Sequence, residues 1–437
     1  MLIIENYMYE QELLNFIEKS VSSFHAISEV EKKLQEYGFK FVNKNMKLEK
    51  GEKYYFKRNN SSLIAVEIGS LVDDDYGFNI VASHSDSPTF KIKPNNDLVS
   101  ASFYHMVNVE GYGGMIDSTW LDRPLSVAGR IMIKNENGFT ERLVNIDKNL
   151  LTIPNVAIHQ NREVNTGMKF NQQVDMIPLV SIDKPFMDIL SNYVDIDKEN
   201  ILSFDLFLYN RQRGNLLGYN NEFIQAPQLD DLSSAYASLE AFVNSKKNNK
   251  NIKVYACFDN EEVGSRTMQG AASDFLDRTL EYVNESLGYE RSTLLKAFNN
   301  SFLVSADNAQ AVNPNHPEKY DALNRVFLNK GLVIKFNADQ SYTTDSVSCA
   351  IFKIICDTAG AKYQVYTNRS DLRGGGTLGN ISATHVSVKS IDIGLPQLAM
   401  HSSYETMGAY DLFDMIKALI KFYESHIREN GLSYTVK

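Results

Sequence analysis

The stretch KVYACF, residues 253–258, runs straight into DNEEVGS at 259–265, and the junction decides how the rest of the chain is read. Six residues rich in β-branched, aromatic and small apolar side chains form a candidate buried strand, and a cluster of acids follows at once. Just before it, Leu232, Ala235, Tyr236, Leu239, Phe242 and Val243 fall at helical spacing, and Asp230-Asp231 suits the N-terminal end of that helix. Beyond it come the strand SFLVSAD, the helix SVSCAIFKIICDTAG, the strand SIDIG and a last helix carrying Leu412, Met415, Ile416, Leu419 and Phe422. Helices alternating with strands mean an α/β layered sheet.

The N-terminal part fits the same layer. Leu13, Leu14, Phe16 and Ile17, then Ile27, Val30 and Leu34, mark an amphipathic helical stretch, and SSLIAVEIG and GFNIVASHSD read as strands. The middle, 94–223, differs. In AGRIMIKNENGFTERLVNI (128–146) turn residues from Asn135 to Gly138 join two alternating runs, SFDLFLYN (203–210) alternates as a strand, and convincing helices are few. The expected organisation is one α/β domain built from 1–93 and 224–437, interrupted by a mostly β insert at 94–223.

Composition narrows the function classes. With 437 residues the chain exceeds what one core usually supports. Forty-four basic against 54 acidic residues give a net charge of −10, and KKNNK at 246–250 is the only basic cluster, which argues against nucleic acid or an anionic membrane as partner. No apolar run is long enough to span a bilayer, and the N-terminus does not read as a signal peptide. Cys257, Cys349 and Cys356 lie in apolar segments without metal-like or disulfide-like spacing, which fits small core residues in a reducing cytoplasm.

In open α/β sheets, working residues gather beyond the carboxyl ends of strands. His84 and Asp86 follow NIVAS, Asp259, Glu261 and Glu262 follow VYACF, Asp307 follows FLVSA, His401 follows QLAM, and Asp230 opens a helix. A single acid after a strand is ordinarily a turn or cap residue. Two imidazoles and several carboxylates at neighbouring strand ends would repel unless cations neutralised them, and this donor set suits zinc or a similar divalent ion. Adjacent side chains of Glu261-Glu262 point apart, so one can bind metal while the other handles the proton of a water.

At this point the chain resembles the M18 metalloaminopeptidases, the aspartyl aminopeptidase group. The likeness runs through FIEKSVSSFHA (16–26), ASHSDSPTFKIKP (82–94), WLDRPLSVAGR (120–130), IPNVAIHQNREVN (153–165), QLDDL (228–232), FDNEEVGSRTMQGA (258–271), SADNAQAVNPNHPEKY (305–320), GLVIKFN (331–337) and GLPQLAMHSSYE (394–405), in order over nearly the whole chain. The resemblance implies a zinc-exopeptidase-like α/β/α sandwich with an inserted dimerisation domain. It implies two divalent ions, zinc or else cobalt or manganese: His84 and Asp307 on one, Glu262 and His401 on the other, Asp230 bridging. Glu261 would be general base and acid, and Asp86 would orient His84.

It further implies that His159 reaches the active site of a neighbouring subunit, and that copies assemble into a dodecamer built from dimers. Lys335, with Arg373, would favour peptides with Asp or Glu first through charge-assisted bonding. Tyr342 and Gly375 complete the expected substrate contacts. Gln310, Asn313 and the RSDLRGGGTLG run depart from the eukaryotic pattern and bear on specificity. A preference for neutral first residues, a deacylase or carboxypeptidase on the same fold, and an inactive shell-forming scaffold are the alternatives.

Overall fold

The computed structural model describes residues 2–43, 46–372 and 374–437. Its principal sheet has nine strands, in the spatial order Lys40–Phe41, Lys53–Arg58, Ser62–Ile68, Ile252–Phe258, Phe78–His84, Phe302–Ala306, Lys389–Gly394, Leu332–Phe336 and Tyr363–Thr367. The four strands from Ile252–Phe258 to Lys389–Gly394 run parallel. Phe258 pairs with His84, so these two strands end together at one edge of the sheet.

Strand alternation divides the side chains between two cores. Ile252, Val254, Ala256 and Phe258 face the helices Phe275–Ser286 and Arg291–Asn299, while Tyr255 and Cys257 face the helices Ser23–Glu36, Leu229–Asn244, Ser346–Ala359 and Ala409–Glu424. Helices on both faces make the layered α/β sheet that the alternation predicts and the α/β/α sandwich that the resemblance implies. The three cysteines are buried and unpaired. Among the described residues no helix is long and apolar enough to cross a membrane.

A second sheet has six strands, in the order Gly138–Asn145, Leu125–Asn135, Ile201–Asn210, Thr89–Ser100, Tyr104–Tyr112 and Leu179–Ser181, with its own core around Phe90, Trp120, Val127 and Leu206. The hairpin at Asn135 to Gly138 stands where the turn residues place it. One difference from the sequence reading is the helix Phe186–Val194, which the strand-rich surroundings conceal. Phe186, Leu190 and Val194, at spacings of four, are fully covered against this sheet. A five-stranded sheet that includes Phe223–Ala226 and Glu405–Gly408 flanks the two.

Candidate metal centre

The parallel strands deliver their carboxyl-terminal residues to one place. His84 is the last residue of Phe78–His84, Asp259 to Glu262 follow Phe258, and Asp307 follows Ala306. Asp230 and Asp231 lie at the head of the helix Leu229–Asn244 with non-helical backbone angles, joined by a cis peptide, and both are buried. His401 comes from the loop between Pro396–Leu398 and Glu405–Gly408 and has φ of +66°.

Asp230 is central. Its Oδ1 lies 3.6 Å from Nε2 of His84, and its Oδ2 lies 3.6 Å from Nε2 of His401. On the first side, Oδ1 of Asp307 is 3.8 Å and Oδ2 of Asp231 is 4.0 Å from the His84 nitrogen. On the second side, Oε2 of Glu262 is 3.5 Å from the His401 nitrogen. Donor atoms of His84, Asp230, Asp231 and Asp307 lie within 4.8 Å of one another, as do those of Asp230, Glu262 and His401.

Both imidazoles are held by their other nitrogen. Nδ1 of His84 is 3.0 Å from the backbone carbonyl of Asp86, and Nδ1 of His401 is 2.6 Å from that of Gly114. A carbonyl only accepts, so Nδ1 carries a proton in each ring and Nε2 is the nitrogen turned to the cluster. The Asp86 carboxylate stands beside His84, its Oδ1 3.4 Å from Nδ1, and accepts from the backbone N–H of Glu261 and of Glu262.

The electrostatics call for positive charge. Asp86, Asp230, Asp231, Asp307, Glu261 and Glu262 crowd together, and among the described residues Lys335 is the one ammonium against them. Burial pushes the Glu261 carboxyl up to about 8; His84 pulls it back, while Asp307, Asp86 and Asp230 add to the rise. Burial and the Asp230 carboxylate likewise push Glu262 well up. Burial alone would lower His84, yet Asp231, Asp230, Asp307 and Asp86 outweigh it and drive the ring upward. Oδ1 of Asp230 and Oδ1 of Asp231 are buried without a hydrogen-bond partner. Separations of 3.5–4.0 Å between lone-pair donors are too long for hydrogen bonds, while two donors can share a cation across them. The residues present fit divalent metal.

The remaining expected contacts fall differently. Lys335 is buried beside the cluster rather than open to a substrate side chain. Its Nζ donates to the carbonyls of Asp307 at 2.8 Å and Asn308 at 3.1 Å, lies 3.7 Å from Oδ2 of Asp307, and sits 5.1 Å above the Tyr342 ring, itself buried. Burial pushes the Asp307 carboxyl up, but the Lys335 ammonium and His84 more than reverse it, so its net displacement is downward. His159 and Gly375 are exposed, and among the described residues neither bonds to the cluster. Arg373 lies outside the described residues.

Several residues at the site escaped the sequence reading. Asp231 looked like a second cap beside Asp230. Glu405 accepts from the N–H of both His401 and Asp230, at 2.6 and 3.0 Å, and no spacing rule links it to either. Tyr112 and Gly114 arrive from the six-stranded sheet and the loop after it.

The description of the aminopeptidase I zinc metalloproteases, family M18, matches residues 16–423. The chain belongs to the M18 family. It is a metalloaminopeptidase of that zinc family, and its buried cluster can hold metal. A probable M18 family aminopeptidase 2 of Clostridium acetobutylicum is 45% identical over 426 residues, covering 95% of this chain and 98% of the relative. Aspartyl aminopeptidase 1 of Schizosaccharomyces pombe is 34% identical over 447 residues, covering 95% and 94%. The cryo-EM structure of the Ape4 and Nbr1 complex superposes with a TM-score of 0.92 at 34% identity, over 96% of this chain and 86% of that one. This M18 chain therefore shares its architecture over nearly its full length with a solved protein.

Proposed function

We propose that the chain hydrolyses the N-terminal residue from peptides with two divalent ions, zinc in the first instance, and that it prefers Asp or Glu as that residue. The observation that carries the reading is Asp230, whose two carboxylate oxygens each face a different histidine nitrogen at 3.6 Å. His84 and Asp307 would hold one ion, Glu262 and His401 the other, and Asp230 both. When bound, such a pair lowers the pKa of a water and polarises the scissile carbonyl.

The chain's own groups do the rest. Glu261 takes the proton of the attacking water and returns it to the leaving amine as the C–N bond breaks. Asp86 fixes the backbone from which Glu261 and Glu262 diverge.

The preference for acidic first residues draws support from the 34% identity to an aspartyl aminopeptidase. Tyr342, Gly375 and Arg373 complete the proposed substrate contacts, together with His159 from a neighbouring copy. The division into a catalytic domain (1–93 and 224–437) and an insert (94–223) is supported by the separate core of the six-stranded sheet. Assembly into a homo-oligomer draws support from the exposed apolar residues Val99, Phe103 and Ile182 in and beside that sheet, and the assembly proposed is a dodecamer built from dimers. The net charge of −10 speaks against nucleic acid or an anionic membrane as partner, and three unpaired buried cysteines fit the cytoplasm.

Glu261→Gln is the direct test. It should retain metal and assembly while turnover of Glu-, Asp- and Leu-amide chromogens falls by orders of magnitude; unchanged turnover would remove Glu261 from its role.

A further inference from the structure

A short segment of the six-stranded sheet lies across the metal cluster. Tyr112 ends the strand Tyr104–Tyr112, and Gly113 and Gly114 follow it. The Tyr112 hydroxyl donates to Oδ2 of Asp86 at 2.7 Å and accepts from Nδ2 of Asn260 at 2.8 Å. That same carboxylate accepts from the N–H of Glu261 at 3.1 Å and of Glu262 at 3.2 Å, and its Oδ1 is 3.4 Å from Nδ1 of His84. Tyr112 therefore bonds to the one group that touches His84 and the backbone of both glutamates.

The next two residues meet the other side of the cluster. Gly113 stands at φ of +77°, where a Cβ would lie 3.1 Å from Cβ of Glu262 and 3.4 Å from its carbonyl oxygen. Only glycine fits both the angle and the gap. Gly114 offers its carbonyl to Nδ1 of His401, and the N–H of Ile116 donates to the carbonyl of His401 at 3.0 Å. Three consecutive residues of the β unit thus reach His84 through Asp86, Glu262 by close packing, and His401 by a hydrogen bond.

We propose that Tyr112 is a positioning residue for the reaction and that Tyr112-Gly113-Gly114 is a working part of the metal centre, supplied by the β unit. The physical reason is orientation. A ligand imidazole is useful only while its ring is fixed, and the partner on its far nitrogen sets that angle. Removing the hydroxyl takes away one of the three hydrogen bonds that fix the Asp86 carboxylate, leaving those from the N–H of Glu261 and Glu262, and so loosens the group that stands against His84 and the glutamate backbone.

This rests on the two-metal reading, and the experiment separates the two. The full chain is loaded with zinc, zinc release into excess chelating dye is timed, and kcat and KM are measured on a Glu-amide chromogen. Tyr112→Phe keeps the ring and its edge contact with Phe207, centroids 5.5 Å apart. It should release zinc about 10–100-fold faster and lose kcat by a similar factor, with KM little changed. Gly113→Ala, which presses on Glu262 instead, should move the same two readouts. Either variant, folded and with wild-type release rate and kcat, would overturn the proposal; so would a lowered melting temperature with zinc release unchanged. A wild-type chain that carries no zinc to release would overturn the two-metal reading, and the role of Tyr112-Gly113-Gly114 with it.

Discussion

Lys335 carries a full positive charge into the interior, and its surroundings assign it to Asp307 rather than to solvent. Lys335→Met removes the counter-charge that holds Asp307 in place. It should lower kcat/KM roughly 10-fold or more for every first residue, through a weakened ligand. A panel of Glu-, Asp- and Leu-amides distinguishes this from a pocket role, in which the acidic substrates alone would suffer. His25 makes a second prediction. Its Nδ1 lies 2.8 Å from Oγ of Ser22, and burial lowers its pKa from 6.5 to about 4, with Glu29 opposing and Lys32 adding. The unfolded chain takes up this proton near 6.5 and the folded chain only near 4, so this contribution to stability is whole above 6.5 and is lost as pH falls through that window. The melting temperature of His25→Gln should fall less steeply than wild type's between pH 7 and pH 4.5; parallel curves would show that folding does not shift the His25 pKa. At this scale the sequence exposed the acids and imidazoles, because each follows an apolar strand. It concealed Glu405, Tyr112 and Gly114, whose bonds to Asp230, Asp86 and His401 join positions 175, 26 and 287 residues apart in the chain.

Among the elements, the strands were legible because alternation and β-branched content survive in short runs: KVYACF, NIVAS and FLVSA end where their acids begin. The helix Phe186–Val194 was not. Nine residues give little more than two turns, too few for a helical period to stand out among neighbouring strands. Its buried face makes it consequential all the same. Leu190 is fully covered, so Leu190→Ala should cost about 2–5 kcal/mol and lower the melting temperature by several degrees. An unchanged melting temperature would mean that this helix does not close the core of the β unit. The helix Leu229–Asn244 shows a related limit. Its apolar spacing was plain, whereas the non-helical backbone at Asp230 and Asp231, which delivers both carboxylates to the cluster, leaves no mark in periodicity.

For the molecule as a whole, metal and assembly are the two levers. If two ions bind the folded chain, exhaustive chelation should abolish activity and lower the melting temperature, and zinc, cobalt or manganese should restore both. Full activity after chelation would end the two-metal account. Val99, Phe103 and Tyr104 crowd the exposed tip of the hairpin between Thr89–Ser100 and Tyr104–Tyr112, with Ile182 beyond them. Phe103→Glu should shift the particle mass downward in light scattering; an unaltered mass would place the contact elsewhere.

The strand order has a consequence for how the chain is made. Ile252–Phe258 lies between Ser62–Ile68 and Phe78–His84, yet 167 residues separate His84 from Ile252. A ribosome adding residues at about 5–20 per second needs on the order of 10–30 s to supply that missing centre. Throughout that interval the first strands wait with an unpaired edge, and by its end every strand of the six-stranded sheet, from Thr89 to Asn210, has been made. The β unit therefore has all its strands before the sheet that carries the metal cluster can be completed.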